Sequence, residues 1–372
     1  MTKFEPNNLE KTYKSFQEEV AINKISLIVE NEEKVYQYYD STGLSNNSTN
    51  EAIIMLHGVP GKCQVFYQQI VALTSRGYRV ISVEYPPFWT LFSFCQGFHE
   101  FLNLLEIEKI HLFGLGFGGY LVMKYFNSTN DKRIKSLILC NSFVSTRSFA
   151  KFNKCGGMIS WVPVFWLKRK LLKTFPQKNV LLPIAEAIDF MVEIVEKLDY
   201  EELASRITMF GYEDEIKDFD FDPKKVTVIN SMDSNFVPRK IREKVANKFP
   251  NCKYAKIKFG GDFPQLSNPQ EINMHLIVHL RNNGWNPDQI LLKNQIKLKN
   301  NIIEQSNSSA TSSSSDNSSD SEQDEIKKKN SFVHQKLIFS QRKEENEDEN
   351  ENEKKKLNRN EHEKEKEKEK EK

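Results

Sequence analysis

The chain has 372 residues, 38% of them hydrophobic, and a formal net charge of only +2. That near-neutral balance gives no electrostatic footprint for nucleic acid. The charged N-terminus lacks the apolar centre of a secretory signal, and the strongly apolar run "ISWVPVFWL" is far too short to cross a bilayer. Five scattered cysteines (Cys63, Cys95, Cys140, Cys155, Cys252) have no metal-type spacing, so free thiols in a reducing cytosol are expected, with no metal and no cofactor.

Taken in chain order, "KISLIVE" and "KVYQYYD" read as strands, the second running into the polar loop "STGLSNNSTNE". The short apolar run "AIIML" ends at "HGVPGK", and "QVFYQQIVALTSRG" follows as a helix with Gly77 suited to its C-cap. "RVISVEY", "IHLFG" and "IKSLILC" continue a series of runs rich in β-branched residues, separated by helical patterns. This alternation predicts an α/β fold with a mostly parallel central sheet and crossover helices. From about residue 145 to 222 the pattern becomes helical and aromatic, including "AIDFMVEIVEKL", before the strand rhythm returns with "KVTVINSMD" and "YAKIKFGGD". A helical lid inserted between the sixth and seventh strands explains the interruption better than a second domain. The globular part therefore spans 1–292. Residues 293–372, with "SNSSATSSSSDNSSDS" and five terminal Glu-Lys pairs, hold too little apolar surface to offset chain entropy and read as a disordered tail.

The chemistry centres on "HLFGLGFGGY". An apolar strand enters a glycine turn and leaves as a helix, which is the setting in which G-x-S-x-G presents a nucleophilic serine in α/β hydrolases. Here the middle residue is Gly116. Glycine occupies the strained elbow conformation with little penalty, so the turn is expected to survive without its hydroxyl. The oxyanion element is expected from His57, Gly58 and Val59 after the third strand, together with Phe117 after the elbow. His57 precedes the elbow, outside the Ser–acid–His order, which favours a loop-organising role over a catalytic one.

Asp233, in "INSMDSNFVP", falls where the orienting carboxylate of a triad belongs; a local Asx-turn accounts for it equally well. In "KFGGDFPQLSNP" the position of the catalytic histidine is held by Asp262. His275 and His279 lie four apart on a C-terminal helix without a third ligand and read as packing residues. Cys140 and Ser142 end a strand with no histidine in order behind them, so neither replaces the nucleophile. With nucleophile and base both gone, the vestigial triad positions are Gly116, Asp233 and Asp262, and at most a background on the order of 10³ over water remains. The lid stretch "WVPVFWLKRKLLKTF" is a candidate partner or membrane surface: Trp161, Phe165 and Trp166 stand beside Lys168, Arg169 and Lys170.

"GYRVISVEYPPFW", "FCQGF", "LILCNSFVST", "EAIDFMVEIVEKL", "ELASRIT" and "GGDFPQL" together resemble the maspardin family of α/β-hydrolase-fold proteins, over roughly Phe16 to Leu280. Members of that family carry the elbow serine but lack the histidine, whereas this chain lacks both. The resemblance implies a catalytically degenerate, cytosolic adaptor, partly and peripherally on endosomal and trans-Golgi membranes. It also implies protein partners: a receptor cytoplasmic tail, an aldehyde-dehydrogenase-like protein and a late-endosomal small GTPase. The alternatives are an unorthodox hydrolase in which Asp233 or Asp262 activates water, and a small-molecule sensor that uses the pocket.

Overall fold

The structure, a computed structural model, describes residues 8–43, 50–153, 162–176, 180–218 and 220–287. The reading of 293–372 as a disordered tail, Trp161 and Cys155 lie outside the described residues. Helix α1 (Asn8–Glu19) precedes a hairpin of β1 (Asn23–Val29) and β2 (Glu32–Asp40). Its two turn residues, Glu30 and Asn31, take φ of 51° and 64°, as a tight primed turn between twisted strands requires. Strand β3 (Glu51–Leu56) leads through a 3-10 turn into α2 (Tyr67–Thr74), then β4 (Val80–Glu84) and α3 (Leu91–Leu104). Next come β5 (Lys109–Leu115), α4 (Phe117–Thr129) and β6 (Ile134–Cys140).

Between β6 and β7 (Val226–Ser231) stand α5 (Val164–Leu172), α6 (Leu182–Lys197) and α7 (Tyr200–Gly211). Helix α8 (Arg239–Lys248), β8 (Lys253–Ile257), the short α9 (Pro264–Ser267) and α10 (Pro269–Asn282) follow. The strands form one sheet in the order β1-β2-β4-β3-β5-β6-β7-β8. The pairs β1–β2 and β2–β4 are antiparallel and the remaining neighbours parallel.

Every residue of β4 and β7 is buried, as are all but the first of β3 and β5. Helices therefore cover both faces of the central strands, which is why those strands read as unbroken apolar runs, while exposed and buried positions mix in β1 and β2. The predicted helix over "QVFYQQIVALTSRG" is shorter than its pattern, because Cys63–Phe66 wind as the 3-10 turn and α2 stops at Thr74. Helix α1 has no counterpart in the sequence reading. Its charged face hides a narrow apolar stripe of two buried residues, Leu9 and Phe16; Phe16 packs against Tyr39 and Tyr67, and Tyr13 of the same helix also meets Tyr67. Among the described residues no helix is long and apolar enough to cross a membrane.

Candidate functional site

Strand β5 delivers the chain to Gly116 and α4 carries it away, so residue 116 sits at the carboxyl edge of the sheet, where open α/β folds place their ligand crevice. Gly116 has φ 55° and ψ −115°, the strained turn of a nucleophile elbow. A Cβ built there would meet nothing within 4 Å, so the position opens onto free space. The tightness of the turn is enforced two residues on, since a Cβ on Gly118 would overlap the carbonyl oxygen of Leu56. The elbow is intact and its hydroxyl is absent.

Across from the elbow lies the loop after β3. A Cβ on Gly58 would come within 3.8 Å of the Phe117 nitrogen, so the two halves of an oxyanion element, Gly58-Val59 and Phe117, converge. Phe117 opens α4, and its N–H is among those a helix cannot satisfy internally. His57 is fully buried, its ring stacked on Tyr85 at 4.7 Å, and its Nδ1–H donates to the Gly58 carbonyl at 2.8 Å. Burial, reinforced by the Arg206 cation, pushes its pKa well below that of a free histidine and keeps it neutral. His57 thus shapes the loop.

The acid and base positions are joined to each other's loops. The Asp233 carboxylate accepts from the Gly261 N–H at 2.9 Å and the Gly260 N–H at 3.2 Å. This is a long-range bridge to the loop after β8, not a local Asx-turn. In return, Asp262 Oδ1 accepts from the Ser234 hydroxyl at 2.7 Å and from the Asn235 and Phe236 N–H groups at 2.9 Å each. Its Oδ2 is buried and has no hydrogen-bond partner.

Two residues that sequence reasoning missed tie this lattice to the sheet. Asn141, at φ 46° just past β6, accepts from Ser231 N–H at 2.9 Å and donates to the Gly261 carbonyl at 3.1 Å. Arg242 is 2% exposed and donates to Asn141 Oδ1 at 3.0 Å and to the carbonyls of Ser231 and Ser234 at 2.5 and 3.1 Å. Asn141 was findable, being the polar residue at the carboxyl end of a buried strand. Arg242, inside the charged stretch "RKIREK", gave no such signal.

A second buried polar group fastens the lid. Arg206 of α7 is 1% exposed and reaches the Gly61 carbonyl at 2.6 Å and that of Val59 at 3.4 Å. Lys62 bridges Glu84 at 2.5 Å and Glu202 at 2.6 Å, and Glu202 completes a capping box with Asp199 at the start of α7. Burial raises the Glu84 carboxyl above the usual range despite its Lys62 partner. Arg206 and Glu202 thus tie helix α7 to the loop after β3.

The space enclosed by these loops is a cavity of about 40 Å³, lined by Gly116, Phe117, His57 and Asp262 and roofed by apolar side chains that include Phe175, Met191 and Phe236. No hydroxyl stands at 116, and the two candidate substitutes are disposed elsewhere. Burial pushes the Cys140 thiol up to about 12, and Ser142 packs beneath Gly119, where a Cβ would overlap its hydroxyl. His279 is also structural, 1% exposed with Nδ1 paired to the Thr227 hydroxyl at 2.7 Å.

On the lid, α5 turns Leu167 and Leu171 inward and leaves Phe165 and Trp166 outward, 55% and 53% exposed. The two rings lie 5.4 Å apart, and the Arg169 guanidinium sits 5.9 Å from the Trp166 ring. Lys168 donates to the Glu196 carbonyl at 2.6 Å, and with Phe165 and Arg169 it lines a shallow groove. Lys170 is exposed on the same helix.

Residues 51–187 match the family model described as alpha/beta hydrolase fold. Maspardin of Danio rerio is 36% identical over 271 residues, covering 72% of this chain and 85% of the relative. Maspardin of Homo sapiens is 35% identical over 270 residues, covering 72% and 86%. Among solved structures, a thermophilic esterase from Thermogutta terrifontis superposes with a TM-score of 0.57 at 17% identity, covering 71% of this chain and all of that one. A bromoperoxidase from Bacillus anthracis gives 0.56 at 17%, covering 70% of this chain and all of that one. At such identities the likeness is one of fold.

Proposed function

The chain belongs to the maspardin family of α/β-hydrolase-fold proteins, and from that premise we propose that it is a non-catalytic adaptor that acts by binding proteins. One observation carries the reading: the elbow at Gly116 keeps its turn but has no hydroxyl to present. The base position supports it, because Asp262 commits Oδ1 to three donors of a neighbouring loop. A carboxylate engaged in this way is a loop cap. Nucleophile and general base act as a unit in acyl transfer, so an oxyanion element without them leaves on the order of 10³ over water at most.

The recognition surface in this reading is the lid helix α5. Exposed aromatic side chains beside arginine are the composition of interface hot spots, and Lys168, Arg169 and Lys170 would steer an acidic segment or an anionic membrane toward them. The partners proposed are a receptor cytoplasmic tail, an aldehyde-dehydrogenase-like protein and a late-endosomal small GTPase. The setting is the cytosol with peripheral association at endosomal and trans-Golgi membranes, in trafficking or the regulation of receptor signalling. A serine-directed fluorophosphonate probe tests the non-catalytic part. The protein should stay unlabelled, and heat-sensitive labelling of any residue lining the cavity would overturn it.

A further inference from the structure

We propose that the outer edge of the sheet, strand β8 with helix α8 beside it, docks an extended acidic segment of a partner protein, which adds to the sheet as a further strand. The inference goes beyond the adaptor reading: it concerns a different surface from α5, and its test stands apart from the lid.

The whole chain is nearly balanced, with 53 lysines and arginines against 51 acids. Between Pro238 and Gly261 the balance breaks, and eight lysines and arginines stand against one acid, Glu243. Two of the eight are engaged within the fold, Arg242 in its buried contacts and Lys248 on Asp218 at 2.6 Å. The other six are exposed: Arg239, Lys240 and Lys244 on α8, and Lys253, Lys256 and Lys258 along and just past β8. Glu243 is paired with Arg239 at 2.7 Å. Arg239, Tyr254 and Lys256 line one notch, so the two elements present cations together.

The backbone offers what the charges alone do not. Strand β8 is last in the sheet order, so among the described residues no strand pairs with its outer side. The Met232 N–H donates to the Ile257 carbonyl at 2.9 Å, which turns the Ile257 backbone toward β7. Backbone groups alternate in direction along a strand, so Tyr254 and Lys256 point their N–H and C=O groups outward. Such an edge is a template for another chain. Its lysines select which chain. A second copy would set lysine beside lysine across the ladder and destabilise the pairing, whereas acids at alternate positions of an incoming strand meet Lys256 and Lys258 on one face. Main-chain hydrogen bonds then supply affinity and the charges supply selectivity.

The test is fluorescence anisotropy of the full-length protein with a labelled heptapeptide of alternating glutamate and threonine. Binding should be saturable and weaken as salt is raised, and the matching lysine–threonine peptide should not bind. Methylating the backbone nitrogens of the glutamate peptide removes its donors and none of its charge, and should weaken binding at least about tenfold, the scale of lost hydrogen bonds. In the protein, Lys256→Ala removes one charge. Lys256→Pro removes the same charge together with the outward N–H, a change that an edge strand tolerates. The proline variant should bind at least about threefold more weakly than the alanine variant. If the proline variant does not fold, the methylated peptide gives the same reading on the native protein. Equal binding of the native and methylated peptides, or of the alanine and proline variants, would make the edge a general polyanion patch and overturn strand addition. No saturable binding of the glutamate peptide at millimolar concentration would overturn the proposal, as would unchanged affinity in Lys256→Glu/Lys258→Glu.

Discussion

Asp233 and Asp262 each hold the loop that carries the other: Asp233 accepts from Gly260 and Gly261, and Asp262 accepts from Ser234, Asn235 and Phe236. The positions that in a serine hydrolase hold the orienting carboxylate and the histidine base here clasp the ends of β7 and β8. Asp262→Ala leaves two backbone N–H groups and a hydroxyl unpaired, and is expected to lower unfolding stability by about 1–3 kcal/mol. Asp233→Ala should have a similar effect, and the double variant should lose less than the sum, because both act on the same pair of loops. Urea unfolding of the three proteins measures this directly. A catalytic or solvent-exposed aspartate would leave the midpoint where it was.

Gly116→Ser restores a hydroxyl in an elbow that already has the required backbone, yet Asp262 cannot supply the imidazole. Turnover of p-nitrophenyl acetate by this variant should stay within about tenfold of the parent, since a serine without its base retains only background catalysis. A gain of several hundredfold would mean that another group, Asp233 or His57, deprotonates the new serine.

Acid should destabilise the fold through its buried histidines. Burial lowers His279 to about 3, and burial also drives His57 well below its free value. Their folded pKa values lie beneath the unfolded value near 6.5, so the unfolded chain binds more protons once the pH drops below that. The stability they contribute is full above about pH 6.5 and declines as the pH falls toward 3. Each histidine adds a slope approaching about 1.4 kcal/mol per pH unit. His279→Gln, which keeps a hydrogen-bonding side chain beside Thr227, should flatten the decline between pH 6.5 and 5 by roughly one proton's worth. A wild-type protein whose stability is flat over that interval would contradict the assignment.

The sheet was legible in the sequence because its central strands are buried on both faces and so read as continuous apolar runs. The elbow was legible because the glycines around residue 116 answer to steric demands that leave few alternatives, as the overlap at Gly118 shows. The links between loops were not legible. That Asp262 reaches Phe236, or Arg242 reaches Asn141 across 101 residues, depends on how strand ends meet in space. Helix α1 was hidden for a different reason, since two buried residues, Leu9 and Phe16, in a charged dozen make a stripe too thin to register. The lid pattern marked α5 as aromatic and basic, but only the fold separates the inward Leu167 and Leu171 from the outward Phe165 and Trp166.

The adaptor reading turns on which of two surfaces a partner needs, and one quantitative capture experiment separates them. Tagged full-length protein would be recovered from its own cells as the parent, as Phe165→Ala/Trp166→Ala, and as Asp233→Asn/Asp262→Asn. Because Phe165 and Trp166 are more than half exposed, their truncation should change the melting temperature little, with exposed sites usually within about 0.5 kcal/mol. Partner recovery should fall by an amount equivalent to about 2 kcal/mol or more per hot-spot residue, while the aspartate variant keeps its partners. If the lid variant, stably folded, retains every partner that the parent recovers, and the aspartate variant loses them, the protein works through its pocket and the lid is not its recognition surface.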